Sequence, residues 1–110
     1  MVIVNRNLKF ETESGEKDIP IKIYLPIQQN DDSWQCEYEI GWPAEVRKSK
    51  AFGIDSIQAL SLAMQKIGSE IYTSDAHRSG KLMWLKRKDG YGFPLPSGIR
   101  DLYEGADRLL

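Results

Sequence analysis

The stretch Gly53-Ile54-Asp55-Ser56-Ile57-Gln58-Ala59-Leu60 decides the fold of this chain, because it opens the one segment with a long helical period. Asp55 precedes the apolar run and Gln58 follows three residues later. That is a capping-box arrangement: the Asp oxygen accepts an unpaired N–H of the first turn while Gln58 reaches back. Gly53 lets the chain turn sharply as it leaves the strand before the helix. At about 100° per residue, Ile57, Leu60, Met64, Ile67 and Ile71 fall within a sector roughly 80° wide, flanked by the small Ala59 and Ala63. Such a stripe needs a sheet or another helix to cover it. The spacing predicts a helix over 55–74, with the period fading at Tyr72-Thr73-Ser74-Asp75 and Gly80 ending it. Gln58, Leu62, Gln65 and Ser69 line its back, with Ser61 and Tyr72 at the edge. Leu62 stands nearly opposite the core stripe, and a lone exposed leucine is common. Read as partner-facing, it makes the back of the helix a candidate interaction surface.

Upstream of the helix the period changes to two. Val2, Val4, Leu8 and Phe10 alternate with polar residues through 2–12, which is the pattern of a half-buried strand. Ser14-Gly15-Glu16-Lys17 reads as a hairpin turn. Ile19, Ile21, Ile23, Leu25 and Ile27 then mark a second strand over 18–27. Pro20 and Pro26 place it at a sheet edge or make its ends irregular. After a polar loop, Trp34, Cys36, Tyr38 and Ile40 form a third strand, closed by Gly41-Trp42-Pro43. Val46, Phe52 and Ile54 give a weaker fourth strand over 45–54.

Downstream, Lys81-Leu82-Met83-Trp84-Leu85-Lys86-Arg87 reads as a fifth strand, with a turn at Asp89-Gly90. Pro94 and Pro96 keep the 91–96 tail extended. Ser97 is placed to cap a short terminal helix carrying Ile99, Leu102, Tyr103 and Ala106. Strands, one helix, then a strand and tail define an α+β domain: an antiparallel meander of about five strands with one long helix on one face. The expected core is Val4, Leu8, Phe10, Ile21, Ile23, Trp34, Tyr38, Ile40, Leu60, Met64, Ile67 and Ile71.

With 110 residues and no internal repeat, one domain over 1–110 is expected. Folding a chain of this size removes roughly two-thirds of its extended surface, enough for a core without staples. A net charge of −1 supplies no field to draw in nucleic acid or an anionic membrane. Met1–Arg6 lacks a signal-peptide pattern and no apolar run spans a bilayer, so a cytoplasmic location is expected. A single cysteine, Cys36, leaves no internal disulfide, and its place on the apolar side of its strand makes it a buried, inert thiol.

The Gly53-x-Asp55-Ser56-x-Gln58-Ala59-Leu60 entry does not stand alone. Together with Trp34-x-Cys36-x-Tyr38-x-Ile40, Trp84 and Gly92-Phe93-Pro94, it makes residues 34–94 resemble a family of small bacterial proteins built on a domain of unknown function. The resemblance implies a bacterial origin, a stand-alone domain and no catalytic residue to carry over.

The chemistries a small domain can host are narrowed by residue type. One His and one Cys do not assemble a zinc site, and Asn30-Asp31-Asp32 lacks the spacing of a calcium loop, so neither metal nor cofactor is expected. His77, beside Asp75 and Arg78, reads as an exposed loop residue rather than the base of a nucleophile, and no catalytic residue is assigned. No glycine-dense phosphate loop precedes the helix. Glu37 and Glu39 share a solvated strand face.

Nucleic acid is an unlikely partner by charge. A weak basic face would arise if Arg47, Lys48 and Lys50 lay beside Lys81, Lys86, Arg87 and Lys88, with Trp84 between them. Edge lysines that block strand association explain the same residues. The reading is a non-enzymatic protein–protein interaction module, of immunity type or self-associating, using Gln58, Leu62, Gln65, Ser69, Trp42 and Tyr24, with Tyr91 as a further exposed aromatic. The alternative is a small-molecule or enzymatic site in a cleft between the helix and the 91–97 tail.

Overall fold

A computed structural model describes residues 1–110. The strands are β1 (Val2–Thr12), β2 (Gly15–Tyr24), β3 (Ile27–Gln28), β4 (Trp34–Gly41), β5 (Val46–Gly53) and β6 (Leu82–Met83). The helices are α1 (Ser56–Tyr72) and the one-turn α2 (Asp75–Arg78), followed by 3₁₀ turns over Ser97–Leu102 and Gly105–Leu109. All strand pairings are antiparallel. β1–β2–β4–β5 is a meander, β3 continues β2 alongside β4, and β6 adds a short strand outside β1. The fold is α+β, as the change of period predicts.

The helix entry forms as the capping box requires. The Asp55 carboxylate accepts from Gln58 N at 2.7 Å, and the Gln58 amide oxygen reaches back to Ile54 N at 2.7 Å. The helix ends at Tyr72, two residues short of the expected limit, and Ser74 caps α2 by accepting from His77 N at 3.1 Å.

The buried stripe is rotated from the expected one. Ala59, Ala63, Ile67 and Ile71, each four residues apart, are fully buried, whereas Ile57 is 75% exposed and Leu60 and Met64 are half-buried. The helix crosses the β4–β5 side of the sheet with its alanines toward the strands. Its first turn overhangs the edge, and that leaves Ile57 in solvent.

Several expectations about the sheet change. β2 is interior rather than an edge: β1 pairs along one side of it and β4 along the other. Pro20 is tolerated because the β2–β4 ladder begins only at Ile21, leaving Pro20 against Gly41 just beyond it. Pro26 interrupts the strand between Tyr24 and Ile27. Val4 is 51% exposed rather than core: it opposes Ile23 on the face that carries Leu8 but borders the open groove, and the β1–β2 register shifts by one residue just before it, between Val2 and Val4. A bulge of this kind places two successive side chains out of simple alternation.

The expected fifth strand shrinks to Leu82–Met83. From Trp84 the chain bends, because the indole turns back to stack on Arg6, 3.9 Å from ring centroid to guanidinium. The C-terminal helical segment is 3₁₀, has no side-chain cap from Ser97, and is kinked at Ile99. Phe10 and Trp34 are half-buried, and Leu8, Ile21, Ile23, Tyr38, Ile40, Ile67 and Ile71 form the core as expected. Cys36 is fully buried, donating to Tyr24 O at 3.4 Å, and burial pushes its thiol pKa up.

Candidate functional site

Two covers share the inner face of the sheet. Helix α1 lies over β4 and β5, and an extended strap, residues 91–95, crosses over to the helix at Gly68. Beside them, between the helix and β1, an apolar groove of about 260 Å³ stays open. Ile21 and Ile23 of β2 form its floor, Leu60 and Met64 one wall, and Ile3 and Val4 of β1 the other. Arg6, Gly92 and Phe93 close one end. It differs from the cleft expected between the helix and the 91–97 tail, because the strap rests on the helix at Gly68 and the groove opens between the helix and β1 instead. No carboxylate lines it, and Arg6 is its one ionisable group.

The strap is fixed by charges on both sides of one peptide pair. Arg6 Nη1 donates to the carbonyls of Tyr91 (3.0 Å) and Gly92 (3.1 Å). Asp107, 4% exposed, accepts from Tyr91 N (2.7 Å) and Gly92 N (2.8 Å), and from the Tyr72 hydroxyl at 2.6 Å. The Tyr91-Gly92 peptides are thus held at their N–H groups by an anion and at their C=O groups by a cation. Gly92, at φ +75°, has no room for a side chain between Trp84 and Arg6. The Arg6 guanidinium lies over the Trp84 ring (3.9 Å to its centroid) and the Phe93 ring (4.9 Å). Burial lowers its pKa, and the nearby Asp107 charge opposes that shift.

Beside this clasp, His77 is half-buried rather than an exposed loop residue. Its Nδ1 is 2.6 Å from the Tyr91 hydroxyl and its Nε2 is 3.4 Å from Glu104. Tyr91, expected as an exposed aromatic, is 4% exposed and packs edge-on to Tyr72 and His77. Nothing in the local sequence marks this cluster, since its members come from the helix end, the strap and the C-terminal turns.

Burial is the first cause of raised hydroxyl pKa values at Tyr38, Tyr72 and Tyr91. Tyr38, hydrogen-bonded to Glu70, is pushed up to about 12. Hydrogen bonding to Asp107 adds to the rise at Tyr72, as the Glu104 and Asp107 charges do at Tyr91. An unfolded tyrosine ionises near pH ~10, so above that the unfolded chain releases protons that the folded state retains. This contribution to stability is complete below pH ~10 and is lost as pH rises beyond it. The melting temperature should therefore fall steeply above about pH 10, with the tyrosinate absorbance of Tyr38, Tyr72 and Tyr91 appearing at the melting transition rather than before it. Tyrosinate absorbance reaching the amplitude of all five tyrosines near pH ~10 in still-folded protein would contradict the burial of these three hydroxyls.

The expected interaction residues do not form one surface. Gln58 is exposed but occupied as the cap. Leu62, 37% exposed, and Gln65 border a shallow depression with Phe52, Lys66 and Pro96. Ser69 is half-buried and bonds to Gln65 O at 2.9 Å. Tyr24 is on the opposite face of the sheet, where its hydroxyl donates to Glu39 at 2.7 Å, and Trp42 packs its ring against the core.

The two basic clusters are not neighbours either. β5 and β6 lie at opposite edges, separated by β4, β2 and β1. Several of the cations are paired: Arg47 with Glu70 at 2.7 Å, Lys48 with Glu39 at 3.8 Å, and Arg87 with Glu11. The basic face with Trp84 at its centre therefore does not form. No three His, Cys, Asp or Glu side chains gather as a metal-binding group, and no helix is long and apolar enough to cross a membrane.

Fold and groove together define a small α+β domain with an uncovered apolar strip beside an open strand edge. The chain belongs to the family described as a domain of unknown function (DUF6968), whose model matches residues 4–95. That span includes the strap and all of the groove but Ile3, and ends before Asp107. No curated protein and no solved structure matches the chain.

Proposed function

We propose that this protein is a protein–protein interaction module that receives an extended segment of a partner along β1, with partner side chains entering the groove. The observation that carries this reading is the contrast between the two edges of the sheet. The β5 edge is guarded by Arg47, Lys48 and Lys50. β1 is paired by β6 only at Lys9 and Phe10, with Glu11 N bonded to Lys81 O, so its Val2–Leu8 stretch has no strand on that side. That stretch begins Val2-Ile3-Val4, with exposures of 41%, 37% and 51%.

An unguarded apolar edge is a template for strand addition, and this mode of recognition draws affinity from main-chain hydrogen bonds and specificity from side-chain pockets. The groove volume supports a docked side chain over a small molecule. Roughly 150 Å³ holds a benzene-sized group, whereas ligand pockets for drug-sized molecules run to about 300–1,000 Å³. An immunity-type protein that occupies a partner's surface is one form of such a module.

Two variants separate the β1 surface from the back of the helix. Val4→Lys places a charge on the half-exposed edge and should change stability by less than about 1 kcal/mol. Leu62→Glu does the same on the helix. Affinity capture with light scattering should find a complex, with a partner or a second copy, that Val4→Lys abolishes and Leu62→Glu preserves. A complex lost only with Leu62→Glu would move the interface to the helix and refute the β1 reading.

A further inference from the structure

We infer that the groove selects a partner segment carrying an acidic side chain two residues from an aliphatic one, with the carboxylate bound by Arg6. This rests on the reading of β1 and its groove as the docking surface. Arg6 makes no ion pair, unlike Arg47, Arg78 and Arg87. Its Nη1 is committed to the strap carbonyls, while Nε and Nη2 donate to no protein group and are not buried. The guanidinium lies against the Trp84 and Phe93 rings at the closed end of an otherwise apolar groove, and its Nη1 bonds to the strap hold its direction. A planar, pre-oriented fork with free donors matches a carboxylate, and no carboxylate lines the groove itself.

The spacing follows from the strand. Val4 and Arg6 oppose Ile23 and Ile21, so they face the same side of the sheet one pleat apart. A strand added to β1 has the same two-residue repeat, so an aliphatic side chain over Val4 brings the side chain two positions away to Arg6. The open edge runs from Val2 to Leu8, on both sides of Arg6, so an added strand continues past it. The carboxylate is then an internal Asp or Glu rather than a chain end.

The test uses the whole protein and two blocked octapeptides, acetyl-Lys-Thr-Val-Ile-Val-Glu-Val-Lys-amide and its Glu→Gln counterpart. Binding is measured by calorimetry and by the ¹⁵N–¹H signal of Arg6 Nε. The Glu peptide should bind roughly tenfold or more tightly than the Gln peptide, and it alone should shift the Arg6 Nε–H signal. Equal affinities overturn the role of Arg6 and leave the groove reading in place. If neither peptide binds at millimolar concentration, the groove reading itself fails and this inference with it. Octanoate shifting the Arg6 signal where both peptides leave it unmoved would assign the site to a small amphiphile and overturn the protein segment.

Discussion

Replacing Asp107 with alanine should lower the unfolding free energy by about 4 kcal/mol, the cost of removing one partner from a buried, hydrogen-bonded charge. The carboxylate is 4% exposed and accepts from Tyr72, Tyr91 N and Gly92 N. Each donor left unsatisfied in a buried place costs roughly 1–3 kcal/mol, and partial entry of water keeps the three from adding in full. For a domain near one hundred residues, the expected loss corresponds to a fall in melting temperature of roughly 15–20 °C. Asp107→Asn should cost about half as much, since one oxygen remains an acceptor while the new amide faces donors.

A second substitution tells the polar clasp from simple packing. In the Asp107→Ala background the Tyr72 hydroxyl has lost its acceptor, so Tyr72→Phe should cost less there than in the parent. If the two losses add, Asp107 is not bonded as described. A loss below about 1 kcal/mol for Asp107→Ala would mean that water replaces the carboxylate without strain on the strap.

The clasp was not legible in the sequence, and the reason is physical. Asp107 sits in Glu104-Gly105-Ala106-Asp107-Arg108, a polar string that reads as solvated surface. Its partners come from the end of α1 and the strap, and Arg6 of β1 holds the other side of the strap, so the burial arises only when those elements meet. The helix entry is the opposite case. Asp55 and Gln58 bond within their own turn, so local order is enough to foresee them. Periodicity shows that α1 has an apolar face but not how much sheet lies beneath it, and Ile57 was misplaced for that reason. Alternation places Val4 correctly on the inner face beside Ile23, but does not show that this end of β1 is left uncovered at the rim of the groove. The two basic clusters depended on strand order, which sequence spacing does not encode. The groove between helix and β1, lined by apolar residues and a single arginine, was not foreseen, because it depends on where the strap seats on the helix.

Gly68→Ala should destabilise the protein by about 2 kcal/mol, against the direction that helix propensity alone dictates. In an unencumbered helix interior, alanine is favoured over glycine by roughly 1 kcal/mol. Here a Cβ at Gly68 would stand 2.5 Å from the Pro94 carbonyl oxygen, 3.2 Å from Leu95 Cδ2 and 3.3 Å from Phe93 Cβ. A flexible side chain can yield to a new methyl group, whereas the Pro94 carbonyl belongs to the strap backbone. The strap is held on both sides of that point. Arg6 and Asp107 grip Tyr91 and Gly92, and Leu95 N donates to the Tyr103 hydroxyl at 2.7 Å.

Admitting the methyl therefore requires the strap to lift, which strains those bonds and opens the packing of Phe93 and Leu95, both buried. Overpacking of this kind costs roughly 1–3 kcal/mol or more, enough to outweigh the propensity gain. Ser61→Ala, on the exposed side of the same helix, provides the comparison and should be neutral or slightly stabilising. Thermal melts of both variants, with amide exchange across residues 91–95, measure the effect. The strap should exchange faster in Gly68→Ala while the β4–β5 ladder stays protected. A higher melting temperature for Gly68→Ala would mean that the strap does not rest on the helix, and the closed end of the groove would then lose its structural support.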